Sequence, residues 1–165
     1  MRTKVGDVFQ IPVNDHSVAY GQIVSKMKPN PPLMAVFEKL YPPGQSIDIE
    51  TIVRDEIVFL VNSFDSKITS GEWPLIGNRP PDERMVLPNF KTSIGSPGNF
   101  YVMSYDATRR RPATAEEARW LPLRSSVSPS LLQQAIRAHH KLDTYLSDFS
   151  DFEYEKVLAS SRLSL

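Results

Sequence analysis

A chain of 165 residues is long enough for one domain that buries roughly two-thirds of its unfolded surface. It is 41% hydrophobic and 23% charged with a formal net charge of zero, which argues against a dedicated nucleic-acid binder, since such proteins carry a basic excess. The absence of cysteine excludes disulfides, thiol catalysis and thiolate metal sites, and the 14 prolines predict stiff connections and few helices.

In chain order the first half reads as strands. Val8 to Val13 places Phe9, Ile11 and Val13 on one face at period two. Asn14-Asp15-His16-Ser17 is a turn cluster, and Val18 to Val24 completes a hairpin in which Gly21 marks a bulge or the close approach of another backbone. After Pro29-Asn30-Pro31-Pro32, Leu33 to Lys39 is a third strand. Ser46 to Asp55 fits a strand and a short helix equally. The apolar run from Ile57 to Val61, inside a strand over 56–64, predicts burial on both faces and a central place in the sheet. Lys67 to Gly71 is a helical turn leading into Trp73-Pro74-Leu75-Ile76-Gly77, read as a connector. Met85 to Lys91 is edge-like because Pro88 cannot donate to a ladder. Asn99 to Tyr105 is the last strand.

Two helices follow, each announced by its cap. Thr114 with Glu117 has capping-box spacing, and that helix ends near Trp120, before Pro122. Ser128 is an N-cap followed by Pro129 at the first helical position. From there Leu132, Ala135, Ile136, His139, Leu142, Tyr145, Leu146 and Phe149 recur at three and four, which predicts one long helix docked on a sheet. These elements describe an α+β fold: a strongly bent, mostly antiparallel β-sheet, partly barrel-like, with a long C-terminal helix packed on it. The expected organisation is one domain over 1–165, with 150–165 as a C-terminal tail.

No catalytic set emerges. His139 and His140 are adjacent, so on a helix they diverge by about 100°, and with His16 in a turn no metal site and no cofactor are expected. Ser70 and Ser96 lie in turns without an elbow motif. Asp7 is expected to shape the strand entry through a bond to backbone, and Asp48, Glu50, Asp55 and Glu56 form no paired-carboxylate spacing. Trp73 and Trp120 are expected in core or connector packing. Two stretches offer a partner surface. Asp148, Asp151, Glu153 and Glu155 interleave with Phe152 and Tyr154, an acidic and aromatic pattern suited to covering a basic active site. Arg109-Arg110-Arg111 is the alternative patch, suited to an acidic partner. The N-terminus lacks an apolar segment behind its charges, and no apolar run reaches the roughly 18 residues that span a bilayer, so a cytoplasmic protein is expected.

Gly6-Asp7-Val8-Phe9 with Ile11-Pro12 and Tyr20-Gly21, then Trp73-Pro74 with Ile76-Gly77, then Leu87-Pro88-Asn89-Phe90, then Arg111-Pro112-Ala113-Thr114 with Glu116-Glu117, recur in an order that resembles the immunity protein 26 family over about residues 4 to 142. That family is found beside toxin genes in bacterial polymorphic toxin systems. The sequence departs from the family pattern at Ser125-Ser126-Val127-Ser128, where an aromatic is expected. The resemblance implies a mostly β, non-catalytic protein that binds and neutralises a cognate toxin. A monomer or weak homodimer is expected, and charge and hydropathy argue against nucleic acid and membrane as partners. Two other classes fit the strands: a small β-barrel nucleic-acid-binding or ribonuclease-like module, and an adaptor domain unrelated to toxins.

Overall fold

The alternation at the N-terminus and the Asx turn after it build the first hairpin. In the computed structural model, which describes residues 1–165, β1 (Asp7–Asn14) and β2 (Ser17–Ser25) pair antiparallel, Phe9 opposite Gly21 and Ile11 opposite Ala19. Asn14 Oδ1 accepts the His16 N–H at 2.8 Å and the Ser17 hydroxyl at 2.9 Å, which closes the turn. β3 (Leu33–Phe37), β4 (Ile57–Asn62) and β5 (Leu75–Asn78) complete an antiparallel sheet in the order β4-β3-β2-β1-β5. With α1 (Ile49–Val53), α2 (Ser66–Thr69) and α4 (Pro129–His139) this sheet makes up the first of two compact units, residues Met1–Met85 and Ser126–Leu146.

The second unit, Val86–Ser125 with Ser147–Leu165, has its own antiparallel sheet, β6 (Phe90–Ser93), β7 (Phe100–Met103) and β8 (Arg110–Pro112). It also carries α3 (Ala115–Trp120), a 3-10 turn (Ser147–Phe152) and α5 (Tyr154–Ser161). Asn89, buried, ties this unit's C-terminus: its side-chain amide donates to the Ser160 carbonyl at 2.9 Å and the Leu163 carbonyl at 3.3 Å.

Several expectations are corrected. The first sheet is open, with β4 and β5 at its edges, so no closed barrel forms. β4 is buried along most of its length yet sits at an edge, because cover on its faces does not require a strand on each side. Its outer ladder is met by the chain at Val127, whose N–H donates to Asn62 O at 3.0 Å and whose carbonyl accepts from Phe64 N–H at 3.3 Å. Trp73 to Gly77 is more than a connector, since Leu75–Asn78 is the strand that pairs with β1. Ser46 to Asp55 resolves as helix α1, N-capped by Asp48.

The long C-terminal helix does not form. α4 stops at His139, and the apolar stripe beyond it is not helical in register. Lys141 takes a left-handed φ of 62°; its N–H donates to Ala138 O at 3.0 Å and that of Leu142 to Arg137 O at 2.9 Å. These bonds form a Schellman stop without its usual glycine. Leu142, Tyr145 and Leu146 are left exposed, and Phe149 is buried in the 3-10 turn.

The first sheet is locked by aromatic packing. Phe9 stacks on Trp73, ring centroids 5.8 Å apart and planes 4° from parallel, and a Cβ at Gly21 would lie 2.6 Å from Phe9 Cζ. Trp73 is buried, and its indole N–H has no partner. Trp73→Ala should therefore cost roughly 3–5 kcal/mol in denaturant unfolding. Trp73→Phe should cost clearly less, because it keeps the stack and removes a buried unpaired donor. Gly21→Ala should destabilise by roughly 1–3 kcal/mol, since the Phe9 ring must leave its place; an unchanged midpoint would contradict this packing.

Candidate functional site

The expected acidic stretch divides by burial. Asp148, Glu153 and Glu155 are exposed. Asp151 is committed to the fold: Lys156 Nζ donates to its Oδ1 at 2.7 Å. Phe152 is buried against Phe149, ring centroids 5.9 Å apart, so the aromatic partner contact expected of it is corrected to core packing. Tyr154 is half-buried at the start of α5. The surface of this segment is thus acidic more than aromatic. Just before it, 141–148 is exposed throughout and carries Leu142, Tyr145 and Leu146.

The arginine run sits on a structured hairpin and not on a loose tip. Asp106 organises the turn between β7 and β8: the Ser104 hydroxyl, then the Thr108 N–H and hydroxyl, hold its carboxyl at about 2. Arg111, in β8, makes a two-pronged ion pair with Glu117 of α3, Nη1 to Oε2 at 2.8 Å and Nη2 to Oε1 at 2.7 Å. The same Glu117 side chain accepts the Thr114 N–H at 2.8 Å, closing the capping box. Arg110 lies over the Tyr101 ring at 5.9 Å. Arg109 and Arg110 remain exposed, whereas Arg111 holds a strand to a helix.

Asp7 has a structural role. Its Oδ2 accepts the Lys4 N–H at 2.8 Å and its Oδ1 the Asn78 amide at 2.9 Å, which ties the entry of β1 to the end of β5. Of the other acids, Glu50 pairs with Arg79, and Asp55 accepts the Lys39 N–H at 2.7 Å. Trp120 is half-buried at the end of α3.

Two groupings escaped sequence reasoning. Arg2, Lys4, Lys26 and Lys28 line a cleft of about 580 Å³. The hairpin register pairs Val8 with Gln22 and Phe9 with Gly21, and running it outward brings residues 4 and 26 opposite each other; that extrapolation was the available signal. Lys26 is pinned there, donating to Thr3 O and Oγ1 at 2.8 Å each. The second grouping is Glu38, His139 and His140. Glu38 Oε2 lies 2.6 Å from His139 Nε2, and the two imidazoles meet edge to face with centroids 4.9 Å apart. His140 is half-buried; burial lowers its pKa, the His139 charge lowers it further, and Glu38 acts in the opposite direction.

The geometry defines a class before it defines a family: an α+β protein whose charged side chains mainly tie strands, caps and turns together. The family model for immunity protein 26 matches residues 4–101, more than half of the chain, and the protein belongs to that family. Neither the curated proteins nor the solved structures yield a match. The matched residues include both halves of the β1–β5 pairing, whereas Arg111–Glu117 and the acidic segment lie beyond them.

The Arg111–Glu117 pair generates a pH prediction. Arg111 first, then the Thr114 N–H, holds the Glu117 carboxyl at about 2 against an ordinary value of 4.5. A carboxylate whose folded pKa is depressed stabilises above its unfolded pKa and loses that contribution as pH falls toward the folded value. Wild type should therefore exceed Glu117→Gln in stability at neutral pH. The gap should close between about pH 5 and about pH 2 in parallel denaturant titrations. A gap independent of pH would assign the difference to packing.

Proposed function

We propose that this protein is a stoichiometric toxin inhibitor: it binds the cognate toxin of a bacterial polymorphic toxin system in the cytoplasm and neutralises it by occluding its active site, with no catalysis of its own. The observation that carries this reading is the immunity protein 26 match over 4–101. The commitment of Asp7, Asp55, Asp151 and Glu117 to backbone and cation partners supports a scaffold role for these acids over a reactive one. No helix is long and apolar enough to cross a membrane.

For the contact surface we favour the acidic segment, with Asp148, Glu153 and Glu155 facing a basic toxin. The chain has no net charge, so attraction must come from local clusters. Exposed acids of this kind speed encounter more than they hold a complex together. The exposed part of the arginine patch, Arg109 and Arg110, is the alternative for an acidic partner.

Binding to the toxin encoded beside its gene tests the function, and absence of a complex would overturn it. Hydrolysis of RNA, DNA or esters that disappears in Asp7→Ala or His16→Ala would do the same. Within the complex, Asp148→Asn with Glu153→Gln and Glu155→Gln should slow association several-fold at 0.1 M salt. The loss should shrink toward 1 M, as the Debye length falls from about 10 Å to about 3 Å. Native association rates for this variant at both salts would move the contact elsewhere, leaving the function standing.

A further inference from the structure

The cluster of Glu38, His139 and His140 is built by two elements of the first unit. Glu38 directly follows β3, and its N–H donates to the Glu56 carbonyl at 2.9 Å. His139 is the last residue of α4 and His140 its cap, with the His140 N–H bonded to Ile136 O at 3.2 Å. α4 is itself fastened to β1: Arg137 Nη1 donates to Val13 O at 2.9 Å, and Gln133 donates to Pro12 O. Phe59 of β4 meets the His139 ring edge to face at 5.8 Å and 73°. The ends of β3 and α4 thus place all three backbones.

We propose that Glu38, His139 and His140 form a binding site for one divalent transition-metal ion, Zn²⁺ being the best match, with a coordination position left open. One ligand atom from each of the three side chains lies within 4.8 Å of the other two. Two imidazole nitrogens and one carboxylate oxygen suit Zn²⁺ and its neighbours, whereas Mg²⁺ and Ca²⁺ take mostly oxygen ligands. Bonds of about 2.0–2.2 Å in a tetrahedron separate ligand atoms by roughly 3.4 Å. That separation lies between the 2.6 Å Glu38–His139 hydrogen bond and the 4.8 Å span of the cluster. Loading the site therefore opens one edge by under about 1 Å and draws the others in by about 1.5 Å at most. Glu38 and His139 side chains are 43% and 32% exposed, which leaves room for these rotations and an open side for water as the fourth ligand.

A simple ion pair between Glu38 and His139 involves two of the three groups, whereas a metal site engages His140 as well. His140 therefore carries the test. Its imidazole meets that of His139 edge to face, at 88° between the ring planes, and at the end of the helix a ring nitrogen of each lies within reach of the Glu38 carboxylate. The site lies in the first unit, is independent of the toxin-binding reading, and stands or falls without it.

The full chain, stripped with a chelator, should bind one Zn²⁺ per molecule in equilibrium dialysis with metal analysis, and Zn²⁺ should raise its unfolding temperature. Losing an outer-shell partner typically costs about 10–100-fold in metal affinity, and loss of a direct ligand should cost at least as much. His140→Gln and Glu38→Gln should therefore each weaken binding about tenfold or more and abolish the thermal shift, while His16→Gln, in the exposed β1–β2 turn, should change neither. If His140→Gln does not fold, Glu38→Gln gives the decisive affinity. Failure of the wild type to bind Zn²⁺ at micromolar concentration, or native affinity in either ligand variant, overturns the site and leaves the cluster an ion pair.

Discussion

The Phe9 ring, lying in the space left by Gly21 and stacked on Trp73, is the contact on which the first sheet depends. It joins β1, β2 and the segment leading into β5 across 64 residues of sequence. β1 pairs with β2 on one side and β5 on the other, and α4 docks on it. A one-residue slip in β1 turns every inward side chain outward. Here such a slip also drives the Phe9 ring into a residue with a Cβ and parts it from the indole. Backbone bonds repeat the constraint at both ends of the β1–β5 pair, with Gln10 N–H to Pro74 O and Arg79 N–H to Gly6 O, each 2.9 Å. Gly6 has a φ of 91°, and a Cβ there would meet Arg79 O at 2.7 Å, so the left-handed turn and the close approach both demand glycine. The Gly6-Asp7-Val8-Phe9 and Trp73-Pro74 stretches of this chain are thereby one structural unit.

What the sequence disclosed follows from how local each cause is. Caps and hairpin turns depend on residues within four of one another, and they read correctly at Asn14, Thr114 and Ser128. Strand positions in the sheet depend on distant partners and did not. Ile57 to Val61 has the composition of a central strand but lies at an edge, while Leu75–Asn78, interrupted by Gly77 and flanked by prolines, has weak strand character and pairs all the same. Trp73, Pro74 and β1 impose that strand from outside, as tertiary context overrides propensity.

The acidic segment was legible in its charges and not in its aromatics. Composition places Asp148, Glu153 and Glu155 near Phe152 and Tyr154, but a 3-10 turn repeats at three residues and sends Phe149 and Phe152 inward together. Arg109 to Arg111 reads as one basic patch, yet alternation along β8 assigns its members different tasks: Arg110 rests on Tyr101 and Arg111 grips Glu117. Charge runs give local electrostatics; the secondary structure beneath them decides which charges are spent on the fold.

The end of α4 shows the same principle with larger consequences. Its apolar stripe continues past His139 at helical spacing, but Asp143, Thr144 and Ser147 favour bonds to nearby backbone, and Asp143 Oδ1 accepts the Thr144 N–H at 3.0 Å. The stop occurs at Lys141 in a left-handed conformation that costs a non-glycine residue about 1–2 kcal/mol. Strain of this size persists only where surrounding contacts fix the geometry. Here the Arg137 and Gln133 bonds to β1 hold the preceding turns. Ending the helix there leaves Leu142, Tyr145 and Leu146 exposed just after the Glu38–His139–His140 cluster. One backbone decision, encoded by no glycine, thus sets where the helical part of the apolar stripe ends.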